Sequence, residues 1–148
     1  MAVTEQTWKV LQEHLKYSDE EMKLFRSDPR NQDVLSKTEY MLGKTIVAEV
    51  VEAQGCDSGH RPGDRFCFDG RGVSMLTKLC PSRVCIFALH SVTLAIPAIT
   101  ELIYAGVDPN EMRFRRFGCS DVGIRCGGWG HIVMEVKVED RQITGDKK

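Results

Sequence analysis

The chain has 148 residues, 20 basic and 21 acidic side chains, and a formal net charge of −1. That length suits a core burying about 70% of the unfolded surface, so folding has no need of disulfides. The balanced charge supplies no field for nucleic acid or an anionic membrane, so neither is expected as a partner.

The first forty residues read as helices. Thr4 caps a segment with Trp8, Leu11 and Leu15 on one stripe. Ser18 opens a second helix with Glu21 in the capping-box position. The stretch DPRNQDVLSKTEYMLG reads as a third, closed by Gly43. Residues 1–43 are thus a helical extension, and residues 44–148 an α+β cysteine-containing domain, the two together expected to form one compact unit.

From residue 44 the pattern turns to strands. KTIVAEVVEA is rich in β-branched residues, and DRFCFDG places Phe66 and Phe68 on one face and Cys67 on the other. An apolar helix is expected from Cys80-Pro81 to Gly106, kinked or split by Pro97. Within it, Val84 to Thr100 is a run of seventeen residues without an acidic or permanently basic side chain. That is the short limit for a membrane span, and a core helix accounts for it better. MRFRRF reads as a strand, and HIVMEVKVE as another with Ile132, Met134, Val136 and Val138 on the apolar face. The expected fold class is α+β: the helical segment, then β-β-α-β-β around one central apolar helix.

Six cysteines stand at 56, 67, 80, 85, 119 and 126, with no CxxC pair. The N-terminus shows no secretory pattern, so a reducing cytoplasmic location is expected, with thiols that stay free, bind metal or react. Cys67 and Cys85 read as core residues. Cys56 and His60 share the loop GCDSGH, Cys119 and Cys126 the loop GCSDVGIRCGGWG, and Cys80 is expected to cap the apolar helix, where unpaired N–H groups favour thiolate. If the three loops meet at one end of the sheet, Cys56, His60, Cys80, Cys119 and Cys126 form a metal-ligand set for an iron–sulfur cluster or zinc. The alternative is a metal-free enzyme with Cys80 or Cys119 as nucleophile and His60 or Asp121 as its partner. In it, Arg113, Arg115 and Arg125 hold a small anionic molecule and Trp129 shields the site from water. The plainer readings are a solvent-exposed His60, a charged edge strand for Arg113 and Arg115, and turn stabilisation for Asp57, Asp64 and Asp121.

Cys56-Asp-Ser-Gly59-His60, then Gly63-Asp64, Cys80-Pro81 and Cys119-Ser-Asp121 resemble a group of small, functionally uncharacterised cysteine-containing proteins of anaerobic bacteria and archaea. The resemblance spans residues 45–138. It implies an anaerobic setting and a shared polar set of Cys56, His60, Cys80 and Cys119, and no reaction. The helical extension, Cys85, Cys126 and CGGWG depart from that pattern. A third reading is an accessory subunit whose helices dock on a larger enzyme or on a second copy of the chain.

Overall fold

The computed structural model describes residues 3–142. It divides into two units, one up to Tyr40 and the other from Met41 onward, where the sequence suggested one compact unit.

In the first unit, α1 (Glu5–Leu15) is capped by Thr4, whose hydroxyl accepts the Thr7 N–H at 3.2 Å. Helix α2 (Asp19–Ser27) begins with a complete capping box: Ser18 Oγ accepts the Glu21 N–H and the Glu21 carboxylate accepts the Ser18 N–H. Buried Trp8 meets Phe25 edge to face at 6.3 Å, with the Arg26 guanidinium 5.0 Å from its ring. The expected third helix is two. Asp28 caps α3 (Pro29–Ser36), which ends at Lys37 before α4 (Thr38–Leu42).

The second unit is built on an antiparallel sheet in the order β2-β1-β4-β3. Its strands are β1 (Lys44–Gln54), β2 (Arg65–Asp69), β3 (Arg116–Gly118) and β4 (His131–Asp140). β1 runs against β4 from Lys44↔Asp140 to Gln54↔His131, with a bulge between Val50 and Glu52. On one face Ile46, Ala48 and Val50 meet Val138, Val136 and Met134 across the ladder, while Phe68 and Phe66 flank Ile46 and Ala48 from β2. Of these, Phe66, Phe68, Met134, Val136 and Val138 are the residues that the period-2 pattern placed on one face. The other face carries Lys137, bonded to Glu49 at 2.9 Å and to Glu139 at 3.1 Å, with Arg65 also paired to Glu139.

The apolar run between β2 and β3 corrects the single central helix in two ways. It is two helices, α5 (Ile86–Thr93) and α6 (Ile96–Tyr104), with Pro97 in the first turn of α6. Proline has no N–H to continue the α5 ladder, so the split falls where the sequence placed it. The helical start, however, lies at Cys85 and not at Cys80. Cys80 closes a short 3-10 turn, Thr77–Leu79, in extended backbone. Ala88, Val92, Ile96, Ile99 and Ile103 fill the core against the sheet. By length and composition Ile86–Tyr104 could also cross a membrane; here its buried side chains pack on the strands.

β3 is three residues long, shorter than MRFRRF suggested. It pairs only Arg116, Phe117 and Gly118 with Glu135, Met134 and Val133. A short edge strand bearing arginine offers little template for another chain.

Candidate functional site

Three segments meet beside the Gln54↔His131 end of the β1–β4 ladder, with Cys85 where Cys80 was expected. The loop after β1, the start of α5 and the Gly-rich loop between β3 and β4 enclose a cavity of about 720 Å³. Cys56, Cys85, Cys119, His131, Arg83 and Trp129 are among its lining residues.

Cys85 is the N-cap residue of α5, and its carbonyl accepts the Leu89 N–H at 3.0 Å. Its thiol is held below the ordinary value. Burial opposes ionisation, but the Ser58 hydroxyl and the Ala88 and Phe87 N–H groups nearby favour the thiolate and outweigh it, and the nearby Asp121 charge works against it. No N–H of the first turn closes a cap hydrogen bond to the sulfur. The expected pairing of a thiol with the positive end of a helix is therefore present, five residues further along.

His60 explains the displacement. Its side chain is 2% exposed and its ring meets Phe66 edge to face at 5.0 Å. Nε2 accepts the backbone N–H of Cys85 at 3.3 Å, and Nδ1 lies 3.3 Å from Asp64 Oδ2. A backbone N–H can only donate, so Nε2 is the bare nitrogen and Nδ1 carries the proton toward Asp64. Both nitrogens are committed. His60 is neither a metal ligand nor a base here, nor the exposed histidine of the plainer reading; it positions the start of α5.

Cys80 faces away from the cavity. Its sulfur accepts the Cys67 N–H at 3.2 Å, and its S–H reaches the Leu76 carbonyl at 3.3 Å. It ties the 3-10 turn to β2 and is not a nucleophile of this site. Cys67 is buried, and burial pushes its thiol up. Cys126 is exposed in a second 3-10 turn, Ile124–Cys126, outside the cavity lining.

Cys119 does belong to the site. Its sulfur accepts the Ile132 N–H at 3.4 Å and lies 3.5 Å from His131 Nδ1. That nitrogen is also 2.5 Å from the Asp121 carbonyl, which can only accept, so Nδ1–H is shared between the carbonyl and the sulfur. The imidazole has room because residue 118 is glycine. A Cβ there would stand 2.8 Å from His131 Cε1 and 2.9 Å from Nε2.

Asp121 is the organiser of the Gly-rich loop and not an acid–base group. Oδ1 accepts the N–H groups of Gly123 at 2.9 Å and Trp129 at 3.0 Å, and Oδ2 that of Gly130 at 3.2 Å. The Gly123 bond foremost holds its carboxyl below the usual range; burial opposes this, while the Trp129 and Gly130 bonds and His131 reinforce it. Gly130 lets the loop reach the one after β1: a Cβ there would lie 2.0 Å from the Gly55 carbonyl oxygen.

The expected arginines are elsewhere. Arg113 stacks over Phe114 at 4.9 Å, and Arg115 and Arg116 pair with Glu135 at 3.9 and 3.0 Å. Arg125 is exposed and, with them, does not line the cavity. Arg83 supplies the site's cation, and among the described residues it has no ion-pair partner. Trp129 lines the cavity but is 77% exposed, so it forms part of the mouth and does not shield the thiols.

No family model, curated protein or solved structure matches this chain.

The five residues expected to ligate metal are not gathered. Cys80 and His60 are turned to other partners, and Cys126 lies outside the cavity. Among the described residues, no group of three or more His, Cys, Asp and Glu side chains is placed to hold a metal ion. The donor arrangement therefore does not fit the cluster or zinc site the loops suggested. Cys85, His131, Arg83 and Ser58 are the site residues that sequence reasoning missed. The start of the apolar run at Val84 was a signal for Cys85; His131 had none.

Proposed function

We propose that this protein is a thiol-dependent enzyme acting on a small anionic molecule, with Cys85 as its nucleophile. The observation that carries this reading is the placement of the Cys85 sulfur at the N-terminus of α5, facing a cavity. Donors from Ser58 and the first turn of the helix favour its thiolate. His60 positions the backbone of Cys85, and Arg83 offers a positive charge at the cavity wall for a carboxylate or phosphate. Val84, Ile86, Phe87 and Ile132 give the cavity an apolar lining, which supports binding of a small molecule's carbon skeleton. The N–H of Ile132 and the His131 ring aimed at Cys119 support a second active sulfur in the same cavity.

The test is site-resolved alkylation of the reduced chain with iodoacetamide across a pH series, read by peptide mass spectrometry. Cys85 should label fastest, with a rate midpoint below that of an ordinary thiol, and the exposed Cys126 should follow the ordinary thiol curve. Uniformly slow labelling of all six cysteines, or Cys85 tracking Cys126, overturns the reading. Metal analysis of the same preparation separates it from the cluster or zinc alternative. A stoichiometric metal lost on Cys56→Ser and Cys119→Ser would favour that alternative.

A further inference from the structure

The cavity gathers more thiol than a single nucleophile needs. Cys56, Cys85 and Cys119 all line it, each half-buried and packed against the core. Two of them are tied together through the backbone. Ser120, next to Cys119, donates its N–H to the Phe87 carbonyl at 3.2 Å, with its hydroxyl 3.3 Å from the same oxygen. The segment bearing Cys119 is thereby held against the first turn of α5, which begins at Cys85. The Cys119 sulfur has the Ile132 N–H and the shared His131 Nδ1–H aimed at it. These contacts, with the Cys119 S–H directed at the Asp121 carbonyl at 3.6 Å, fix where the sulfur sits in the cavity. Among the described residues no hydrogen bond reaches the Cys56 sulfur, which marks Cys119 as the second reacting thiol.

The rim adds charge of both signs. Arg83 and Asp57 line the same cavity, both are exposed, and among the described residues neither has an ion-pair partner. The other carboxylate at the cavity, Asp121, is consumed by three backbone N–H groups. An open guanidinium and an open carboxylate suit a ligand carrying both carboxylate and ammonium groups. The apolar walls suit a soft, uncharged bond between its two halves.

From these placements we infer that the substrate is a low-molecular-weight disulfide bearing carboxylate and ammonium groups, reduced by Cys85 and Cys119 through thiol–disulfide exchange. The inference rests on the reading of Cys85 as nucleophile. The Cys85 thiolate attacks one sulfur of the substrate; the new S–S bond joins Cys85 to half of it, and the other half leaves as a thiolate. Cys119, giving up its proton to solvent, then attacks the Cys85 sulfur. A Cys85–Cys119 disulfide forms and the second half leaves as a thiolate. Two protein thiols are oxidised by two electrons, one substrate disulfide is reduced to two thiols, and no further oxidant is needed. An external thiol in excess returns the protein to its reduced form by the reverse exchange.

The experiment treats the reduced full-length chain with oxidised glutathione at neutral pH, followed by acid quench and peptide mapping. In the natural sequence a Cys85–Cys119 disulfide should form with release of two glutathione molecules. Cys119→Ser, or Cys119→Ala if the serine variant does not fold by circular dichroism, should stop at one glutathionyl group on Cys85. Cys85→Ser should lose the reaction, and Cys56→Ser should keep it. Arg83→Ala should lower the rate with oxidised glutathione by about tenfold, and leave the rate with uncharged 2-hydroxyethyl disulfide unchanged. Glutathionylation that appears first on exposed Cys126, or a Cys119→Ser variant that accumulates no adduct on Cys85, overturns the inference. If Cys85 alkylates rapidly with iodoacetamide yet forms no mixed disulfide, the substrate class fails and the nucleophile reading stands. If it is inert to both reagents, both fail.

Discussion

Replacing His60 tests the arrangement at its least obvious point. The imidazole is 2% exposed, accepts the Cys85 N–H at 3.3 Å, bonds Asp64 and meets Phe66 edge to face. In His60→Ala the part-buried Cys85 N–H loses its acceptor, a cost of about 1–3 kcal/mol, and the ring contact removes about 0.5–1.5 kcal/mol more. The expected loss is therefore about 1.5–4.5 kcal/mol, read as a lower midpoint in urea unfolding with unchanged slope. His60→Gln keeps an acceptor oxygen on a side chain of similar reach and should recover part of the loss. Alkylation of Cys85 should slow in the alanine variant, because the N-terminus of α5 is no longer held in place. A loss below about 0.5 kcal/mol, or a glutamine variant no better than alanine, would refute the positioning role. A metal-ligand role would show a different signature: loss of bound metal with the metal-free protein's midpoint unchanged.

Two further outcomes follow from the other sulfurs. The Cys85 thiol is held below its ordinary value, so the unfolded chain binds more protons in the window between the folded and unfolded values. Its stabilising contribution is complete above the unfolded value and is lost as pH falls through the folded one. The stability gap between the natural chain and Cys85→Ser should accordingly widen as pH rises toward the ordinary thiol value in urea titrations, and a constant gap would contradict the arrangement around the sulfur. Cys80→Ala removes the sulfur that accepts the Cys67 N–H and bonds the Leu76 carbonyl. It should cost about 1–3 kcal/mol in the same assay while leaving the Cys85 alkylation rate untouched; slowed alkylation would place Cys80 back in the site.

Much of the scaffold is written in local pattern. Ser18 and Glu21 close their capping box within four residues of chain, and Phe66, Phe68, Ile132, Met134 and Val136 reach the core because a strand alternates its faces whatever surrounds it. Pro97 splits the apolar run because a missing N–H is a property of one residue. The Cys56 loop and the Cys119 loop meet because Gln54, at the end of β1, pairs with His131, at the start of β4.

The identity of the site residues belongs to the tertiary structure. Cys80-Pro81 and Cys85-Ile86 are both sensible helix starts in sequence. The selection of Cys85 is made by His60, twenty-five residues earlier, whose Nε2 takes the Cys85 N–H. Cys80 is drawn off by the Cys67 N–H on β2, and Asp121 by three N–H groups of its own loop. Gly118 and Gly130 read as loop glycines, yet their function is to leave space for the His131 ring and the Gly55 carbonyl. Sequence alone determined an α+β fold with cysteines in the loops around its sheet. Which thiols meet there depends on hydrogen bonds between distant segments, and local composition carries no record of those.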